Sequence, residues 1–336
     1  MAWVQILLKE REETMVIPLP LYHVFALTAM LSFFKFGSKM VLITNPRDIT
    51  GFVKELKHLK FSVMIGVNTL FNALLNAPDI AEVDVSKVKV VIAGGMAVQR
   101  AVAKRWHEVI GVPLIEGYGL TETSPIACAN RLDIAEYTGT IGLPVPSTEV
   151  GIFDEDGNQM PLGQLGEICI RGPQVMKGYW NMPDETAKVL TADGWLRSGD
   201  IGFMDERGYI KLVDRKKDVI VVSGFKVFPN EVEDVVAMHL DVLEVVAIGA
   251  ADEHSEQAVK IVVIKKNPAL TADELIEHCR KNLTAYKVPK YVVFREEPLP
   301  KSTIGKILRR VVRDEIAAAE RELQTQAQTR QLTSVE

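Results

Sequence analysis

The sequence has few residues that could cross-link the chain or hold a structural metal. Its 336 residues include only three cysteines, Cys128, Cys169 and Cys279, and no two of them lie close together. An odd number without close pairs argues against a disulfide framework and predicts a reducing, cytoplasmic environment. The six histidines are dispersed and form no cluster with the cysteines, so the sequence carries no zinc-site pattern.

An excess of positive charge is also missing. Lysine and arginine number 39 against 44 for aspartate and glutamate, which gives a net charge of −5. Proteins that bind nucleic acid usually carry a strongly basic surface, so we expect no nucleic-acid partner. The hydrophobic fraction of 47% is that of an ordinary globular protein, and the length suggests about two domains.

One uncharged stretch, residues 15–34, approaches the length of a membrane span. Pro18 and Pro20 interrupt its first third, and polar residues are scattered through the remainder. Prolines break helices, and a spanning helix needs a longer uninterrupted apolar run. We therefore expect a buried helix that runs into a core strand.

Residues 1–138 alternate between strand-like and helical patterns. Strands are predicted at 39–44, 61–66, 88–92 and 113–116, and helices at 49–59, 68–76 and 98–110. Strands joined by single helices predict an α/β fold with part of a doubly wound parallel sheet. Ligands bind beyond the carboxyl ends of such strands, which singles out Gly94, Gly95 and the segment 117–124.

The remaining chain divides into three further regions. Residues 139–213 carry short β-rich pieces between turn signals, which predicts a small, distorted β-barrel or sheet. Residues 214–323 read as a mobile C-terminal α+β domain whose last helix runs from 304 to about 323. Thr271 and Glu274 form a capping box at the start of another of its helices. Residues 324–336 are a polar tail.

Six segments in a fixed order carry a family resemblance. They are 20–23 (PLYH), 117–125 (GYGLTETSP), 166–172 (GEICIRG), 194–200 (GWLRSGD), 213–233 (with VDRKKD and SGFKVFPNEVE) and 300–306 (PKSTIGK). Together they resemble the core motifs of the adenylate-forming enzymes, which include acyl-CoA synthetases, luciferases and peptide-synthetase adenylation domains. The surrounding sequence is most similar to bacterial long-chain fatty-acid–CoA ligases.

The resemblance implies a two-step reaction. ATP would activate a long-chain fatty acid to acyl-AMP, and the acyl group would then pass to coenzyme A. ATP, Mg²⁺ and coenzyme A are the implied cofactors. Catalysis of a step between two anions must depend on positioning and charge stabilisation. The resemblance assigns these tasks to Lys306 as the charge clamp, Thr121 as a phosphate-facing hydroxyl and Glu122 as the Mg²⁺ ligand.

The same resemblance implies a nucleotide site. Tyr118 would stack on adenine, Asp200 and Arg215 would hold the ribose, and Leu212 would close the other face of the base. Gly94, Gly95 and Gly117 would let the backbone approach the nucleotide. Taken alone, Tyr118 is more typical of a half-buried tyrosine, and Leu212 fits a core strand leucine equally well. Asp214 would be the hinge of the C-terminal domain, with Gly224 and Phe225 near coenzyme A.

An aromatic gate at His23 and Phe25 is implied beside the substrate carboxylate. The acyl chain would need an apolar slot, for which the candidates are Val67, Phe71, Met96 and Ile126. A structural role for His23, and an ordinary core role for the apolar four, remain alternatives.

One family feature does not occur in this sequence. The family carries a glycine-rich loop ending in Pro-Lys-Gly that holds the β- and γ-phosphates, and no such loop precedes Pro20. We therefore expect the C-terminal part of a longer ligase, inactive alone, whose partner is the missing N-terminal segment. The sequence leaves open whether the protein forms a homodimer and whether it contacts the inner face of the membrane peripherally. Alternative functions are an adenylating ligase for another acid or acceptor, and a non-catalytic nucleotide- or acyl-binding module.

Overall fold

A computed structural model describes residues 7–252 and 254–333. They form two compact units, which divide between Lys217 and Asp218. The short segment Thr303–Lys306 groups with the first unit. Among the described residues, none of the helices has the length and apolarity needed to cross a bilayer.

A seven-stranded sheet in the order β2-β1-β3-β4-β5-β6-β7 forms the centre of the first unit. Its strands are β1 (Thr14–Ile17), β2 (Lys39–Leu42), β3 (Val63–Gly66), β4 (Val90–Ala93), β5 (Leu114–Gly119), β6 (Ile126–Ala129) and β7 (Leu143–Pro144). The first five pair in parallel, whereas β6 and β7 add antiparallel. The α/β class and the four predicted strands are confirmed.

Four helices accompany this sheet: α1 (Val24–Lys35), α2 (Ile49–Lys57), α3 (Asn68–Leu75) and α4 (Arg100–Ile110). The last three match the predicted helices. The uncharged stretch 15–34 includes nearly all of α1, but the expected buried helix is wrong, because only Ala26 and Phe33 of α1 are buried. The first residues of the stretch form the unpredicted strand β1, which lies between β2 and β3. A short apolar run does not distinguish a buried strand from a buried helix by periodicity. Here Pro18 and Pro20 separate the two elements.

The β-rich region is a four-stranded antiparallel sheet in the order β11-β10-β9-β8. Its strands are β8 (Glu149–Phe153), β9 (Gly166–Arg171), β10 (Leu196–Met204) and β11 (Ile210–Arg215), and helix α5 (Pro183–Val189) lies between β9 and β10 in the chain. The pairing of β9 with β10 shifts register between Arg197 and Ile201. This bulge lets the backbone leave the regular ladder just before Asp200.

The second unit is an α+β arrangement with β12 (Ile220–Val222), β13 (Phe225–Val227), β14 (Val242–Asp252), β15 (Glu256–Lys265) and β16 (Tyr291–Arg295). Its helices are α6 (Pro229–Ala237), α7 (Ala272–Asn282) and α8 (Arg309–Thr333). The capping box of Thr271 and Glu274 is present at α7.

The last helix differs from the prediction at both ends. It starts at Arg309 rather than at 304, because Gly305 has a φ of +88° that a right-handed helix does not accept. It then continues through most of the predicted polar tail to Thr333, while 334–336 lie outside the described residues. Lys306 therefore lies on a loop.

Candidate active site

Two glycines after β4 and one on β5 allow the backbone and an aromatic ring to meet. A Cβ atom on Gly94 would lie 3.2 Å from the ring of Phe25 and 3.5 Å from the carbonyl oxygen of Gly117. Any side chain at Gly94 would have to displace that ring. The adjacent Gly95 has a φ of +78°, a conformation that favours glycine. The structure thus brings Phe25, Gly94 and Gly117 together at the carboxyl ends of neighbouring parallel strands.

Tyr118 and Asp200, 82 positions apart in the chain, are in direct contact. The Tyr118 hydroxyl on β5 donates a hydrogen bond of 2.5 Å to Oδ2 of Asp200 on β10. Arg215 lies opposite Asp200 in the β10–β11 register, with its Nε 3.6 Å from Oδ1. Asp200 is only 5% exposed. The structure therefore unites three of the predicted nucleotide contacts around one buried carboxylate.

The protonation behaviour of this pair follows from its burial. Burial raises the pKa of Asp200 above its ordinary value, although the Tyr118 hydrogen bond and the charges of Arg215 and Lys306 act in the opposite direction. Burial and the adjacent Asp200 raise the pKa of Tyr118 well above its ordinary value. Tyr118 is consequently a hydrogen-bond donor at neutral pH, and the Asp200 carboxylate accepts a hydrogen bond from its hydroxyl. A ribose hydroxyl presents the same chemical group.

Two residues that sequence reasoning missed hold the backbone around Asp200. The Ser198 hydroxyl donates to the carbonyl of Ile168 at 2.6 Å and accepts from the Asp200 amide at 3.1 Å. The buried Glu167 accepts the Gly199 amide at 3.0 Å through Oε1. The signal was present in the motifs themselves, since GEICIRG places a glutamate directly before the apolar run Ile168–Ile170 and GWLRSGD contains a hydroxyl two residues before the aspartate.

The segment after β5 exposes two of the predicted catalytic side chains. Thr121–Thr123 form a single 3₁₀ turn, fixed by the buried Thr123 hydroxyl, which accepts the Leu120 amide at 3.0 Å. Thr121 is exposed and Glu122 is half-exposed. Glu122 Oε1 accepts a hydrogen bond of 2.8 Å from the Tyr179 hydroxyl. Burial and this carboxylate raise the pKa of Tyr179 to about 12, so it remains a donor at neutral pH.

Lys306 belongs to a short loop held against the first unit. The Thr69 hydroxyl donates to the Gly305 carbonyl at 2.7 Å, and a Cβ on Gly95 would lie 3.5 Å from Cδ1 of Ile304. The Lys306 charge lowers the pKa of Asp200 and also that of His23. The ammonium is therefore within electrostatic reach of both side chains.

His23 caps helix α1 and also lies within the electrostatic influence of Lys306. Its Nδ1 accepts the Phe25 amide at 3.3 Å, which leaves the ring proton on Nε2. Burial and, to a smaller extent, Lys306 lower the pKa of His23, so the imidazole is neutral at physiological pH. His23 therefore has the structural role given above as an alternative, as the cap of helix α1. This role uses Nδ1 and leaves Nε2–H as a hydrogen-bond donor.

The four predicted acyl contacts occupy different surroundings. Val67 is buried, with its methyl groups 3.7 Å from a Cβ built on Gly95 and 3.5 Å from one on Gly305. Phe71 packs edge-to-face on Trp106 with ring centroids 4.7 Å apart, and Met96 is partly buried against the same core. Ile126 on β6 is 43% exposed. The structure brings Val67 to the glycines of the site and puts Phe71 in the core, and their contact with substrate stays a prediction.

The other predicted residues are distributed over both units. Leu212 on β11 packs against the core of the antiparallel sheet, and the buried Asp214 accepts the Arg215 amide at 2.8 Å. In the second unit, Gly224 turns between β12 and β13 with a φ of +82°. The exposed Phe225 stacks on Tyr286 with ring centroids 4.8 Å apart.

A Mg²⁺ ion bound at Glu122 would need ligands besides protein side chains. In the described part of the chain, no group of three or more histidine, cysteine, aspartate or glutamate side chains is arranged to hold a metal. Mg²⁺ in phosphate-handling sites is commonly bound through one or two carboxylates and the oxygens of the substrate phosphates. The half-exposed Glu122 fits a cation that arrives with a nucleotide.

Comparisons with known proteins agree with this geometry. The family model described as AMP-binding enzyme matches residues 1–180, and the model of the AMP-binding enzyme C-terminal domain matches residues 231–306. The chain is 55% identical over 310 residues to a long-chain-fatty-acid–CoA ligase of Yersinia pestis, covering 92% of this chain and 55% of the relative. The chain therefore spans about half the length of the curated relatives that it matches.

Two solved structures are similar over nearly the whole chain. The anthranilate CoA ligase AuaEII in complex with anthranoyl-AMP has a TM-score of 0.86 at 27% identity, covering 94% of this chain and 62% of that one. ATP-bound MatB from Rhodopseudomonas palustris has a TM-score of 0.81 at 28% identity, covering 93% and 62%.

Proposed function

The chain belongs to the family of AMP-binding enzymes, and on that premise we propose that it carries the adenylate-forming site of an ATP-dependent long-chain fatty-acid–CoA ligase. The observation that carries this proposal is the convergence of Tyr118, Asp200 and Arg215 within electrostatic reach of Lys306. The identity to long-chain-fatty-acid–CoA ligases supports the substrate class.

The residues of the site suit the first half-reaction. An oxygen of the fatty-acid carboxylate attacks the α-phosphorus of ATP, and the bond to pyrophosphate breaks. Asp200 and Arg215 hold the ribose, the Tyr118 ring contacts adenine, and Leu212 closes the opposite face. Lys306 carries the compact positive charge that draws the carboxylate and the α-phosphate together. Neutral His23 donates from Nε2 towards the carboxylate, beside Phe25.

Glu122 and Thr121 are assigned to the phosphates. A bound Mg²⁺ would neutralise phosphate charge and favour departure of pyrophosphate. Glu122 supplies the carboxylate for this ion, and the exposed Thr121 hydroxyl donates to a phosphate oxygen. In the second half-reaction the thiolate of coenzyme A attacks the acyl carbon and AMP leaves. We assign Asp214 as the hinge for that step, with Gly224 and Phe225 contacting coenzyme A.

The complete activity is proposed for a polypeptide of the relatives' length. The chain spans 55% of those proteins, and no Pro-Lys-Gly loop for the β- and γ-phosphates precedes Pro20. A further segment would then supply that loop as the partner of this chain. Peripheral membrane contact and homodimerisation are further proposals, supported by the exposed apolar side chains of Leu31 (54%) and Phe34 (70%) on α1.

Fatty-acid-dependent exchange of pyrophosphate into ATP tests the function. The chain alone is compared with the chain joined to the remaining part of a relative, using hexadecanoate, an aryl acid and no acid. The proposal expects exchange with hexadecanoate in the joined protein, and thioester formation after coenzyme A is added. Exchange without thioester would indicate a fatty acyl-AMP ligase, and preference for the aryl acid another adenylating ligase. AMP binding without exchange in either form would indicate a non-catalytic module.

A further inference from the structure

The segment 172–179 (GPQVMKGY) has no assignment in the proposed reaction, yet it is docked along the loop that carries Glu122. The amide of Met176 donates to the Glu122 carbonyl at 2.8 Å. The Ser124 hydroxyl donates to the Gln174 carbonyl at 2.9 Å, and the Gln174 side-chain amide donates to the Ile126 carbonyl at 3.1 Å. These bonds fix the segment to both ends of the loop.

Tyr179, at the end of this segment, reaches the Glu122 side chain itself. Its hydroxyl donates to Oε1 at 2.8 Å, which leaves Oε2 as the carboxylate oxygen for a cation. Carboxylates that ligate metals are generally hydrogen-bonded in turn by a neighbouring group, which restricts their orientation. Because Glu122 is half-exposed, it would otherwise sample several rotamers.

The position of Tyr179 is fixed from the opposite side by helix α5. The Tyr179 amide donates to the Thr186 hydroxyl at 2.9 Å, and that hydroxyl donates to the Met182 carbonyl at 2.8 Å. Gly178 permits this approach, since a Cβ there would lie 2.9 Å from Cγ2 of Thr186, and its φ of +151° is rare for other residues. Two successive contacts thus connect α5 to the Glu122 carboxylate.

We propose that Tyr179 is a positioning residue that holds the Glu122 carboxylate in the orientation required to bind the Mg²⁺ of Mg²⁺–ATP. This inference rests on the metal role given to Glu122 in the proposed function. It assigns Tyr179 no contact with the nucleotide. Losing its hydroxyl should therefore weaken the cation's effect on ATP binding while AMP binding without a divalent cation stays unchanged.

Calorimetric titrations of the full chain test this assignment. ATP affinity is measured over a range of Mg²⁺ concentrations, and AMP affinity is measured in EDTA, for the parent chain and for Tyr179→Phe. Tyr179→Phe should raise the half-saturating Mg²⁺ concentration about tenfold. Removing a group that orients a metal ligand typically weakens metal affinity by about 10- to 100-fold, and we expect the lower value because Tyr179 is partly exposed. Tyr291→Phe is the matched control, since Tyr291 also donates to a carboxylate, Asp252, at 3.0 Å.

A double-mutant cycle with Glu122→Gln makes the test specific. Once Glu122 is replaced, adding Tyr179→Phe should not change the Mg²⁺ dependence further. Thr186→Val provides an independent variant should Tyr179→Phe fold poorly, and it should shift the Mg²⁺ dependence in the same direction without affecting AMP binding. An unchanged Mg²⁺ dependence in both variants would overturn the inference, as would an equal loss of AMP affinity.

Two outcomes of these measurements separate the role of Tyr179 from the proposed reaction. If the parent chain binds ATP independently of Mg²⁺, both the metal role of Glu122 and the role of Tyr179 are wrong. If the Mg²⁺ effect and its dependence on Tyr179 are found while fatty-acid-dependent exchange is absent, the proposed reaction is wrong and the inference about Tyr179 stands.

Discussion

Replacing Asp200 by asparagine separates the binding role of this side chain from its effect on folding. The substitution keeps the shape of the group but removes the charge that accepts the Tyr118 hydroxyl and faces Arg215. A hydrogen bond to a charged acceptor contributes roughly 1.5–3 kcal/mol, against about 0.5–1.5 kcal/mol for a neutral one. Because Asp200 is expected to accept hydrogen bonds from two ribose hydroxyls, Asp200→Asn should lose about 2–3 kcal/mol of binding free energy. The Kd for AMP should therefore rise roughly 30- to 150-fold.

Folding stability should respond in the opposite direction. The pKa of Asp200 is raised by burial, so ionisation costs more in the folded chain than in the unfolded chain. This cost appears as the pH rises through the ordinary carboxyl pKa, and it is absent below that value. Asp200→Asn should therefore be as stable as the parent, or more stable, at neutral pH. The difference should vanish in acid.

The assay combines AMP titration calorimetry with denaturant unfolding on the same preparations. Asp156→Asn, at an exposed turn of the β-rich region, is the matched control and should change neither quantity. An unchanged AMP affinity in Asp200→Asn would refute the assignment of this carboxylate to the ribose. So would a large loss of stability accompanying weaker binding, because Asp200 would then act as a structural residue.

Three further predictions concern Lys306, Glu13 and the thiols. Lys306→Ala should reduce pyrophosphate exchange in the joined protein by about 10²–10³-fold, with AMP affinity retained and Lys301→Ala close to the parent; equal activity of both variants would contradict the charge-clamp role. Glu13 is buried, which alone would raise its pKa, but hydrogen bonds from Lys89 and two other groups hold it below its ordinary value of 4.5. Glu13→Gln should therefore lower the free energy of unfolding by about 1–3 kcal/mol at neutral pH, and the difference should close as the pH falls through the folded-state pKa. Burial raises the pKa of the three thiols to about 11 or 12, so a thiol reagent at mildly alkaline pH should label none of them until denaturant is added; rapid labelling of the native chain would contradict their burial.

Local patterns predicted the regular elements better than the contacts between them. The strands near Lys39, Val63, Val90 and Leu114 follow from short apolar runs separated by helical periodicity, and the structure confirms them. Strand β1 was missed because the four residues Thr14–Ile17 are too few to show a periodicity of their own. The early start predicted for the last helix was wrong because the positive φ of Gly305 depends on contacts far along the chain.

The site could be predicted only through the order of its motifs. Nothing local indicates that Tyr118 on β5 and Asp200 on β10 touch, since the contact depends on how two sheets pack. The residues that hold the site were missed for a related reason. Glu167 and Ser198 lie within the motifs and Tyr179 lies outside them, but the role of each arises from hydrogen bonds to the backbone or to other site side chains, which the sequence does not specify.

A crystal structure of the chain grown with AMP is the most direct test of a single nucleotide site. We expect adenine against the Tyr118 ring and ribose hydroxyls within about 2.6–3.2 Å of the Asp200 carboxylate. Density for AMP on another surface, with Tyr118 and Asp200 still bonded to each other as in the structure described, would contradict this expectation.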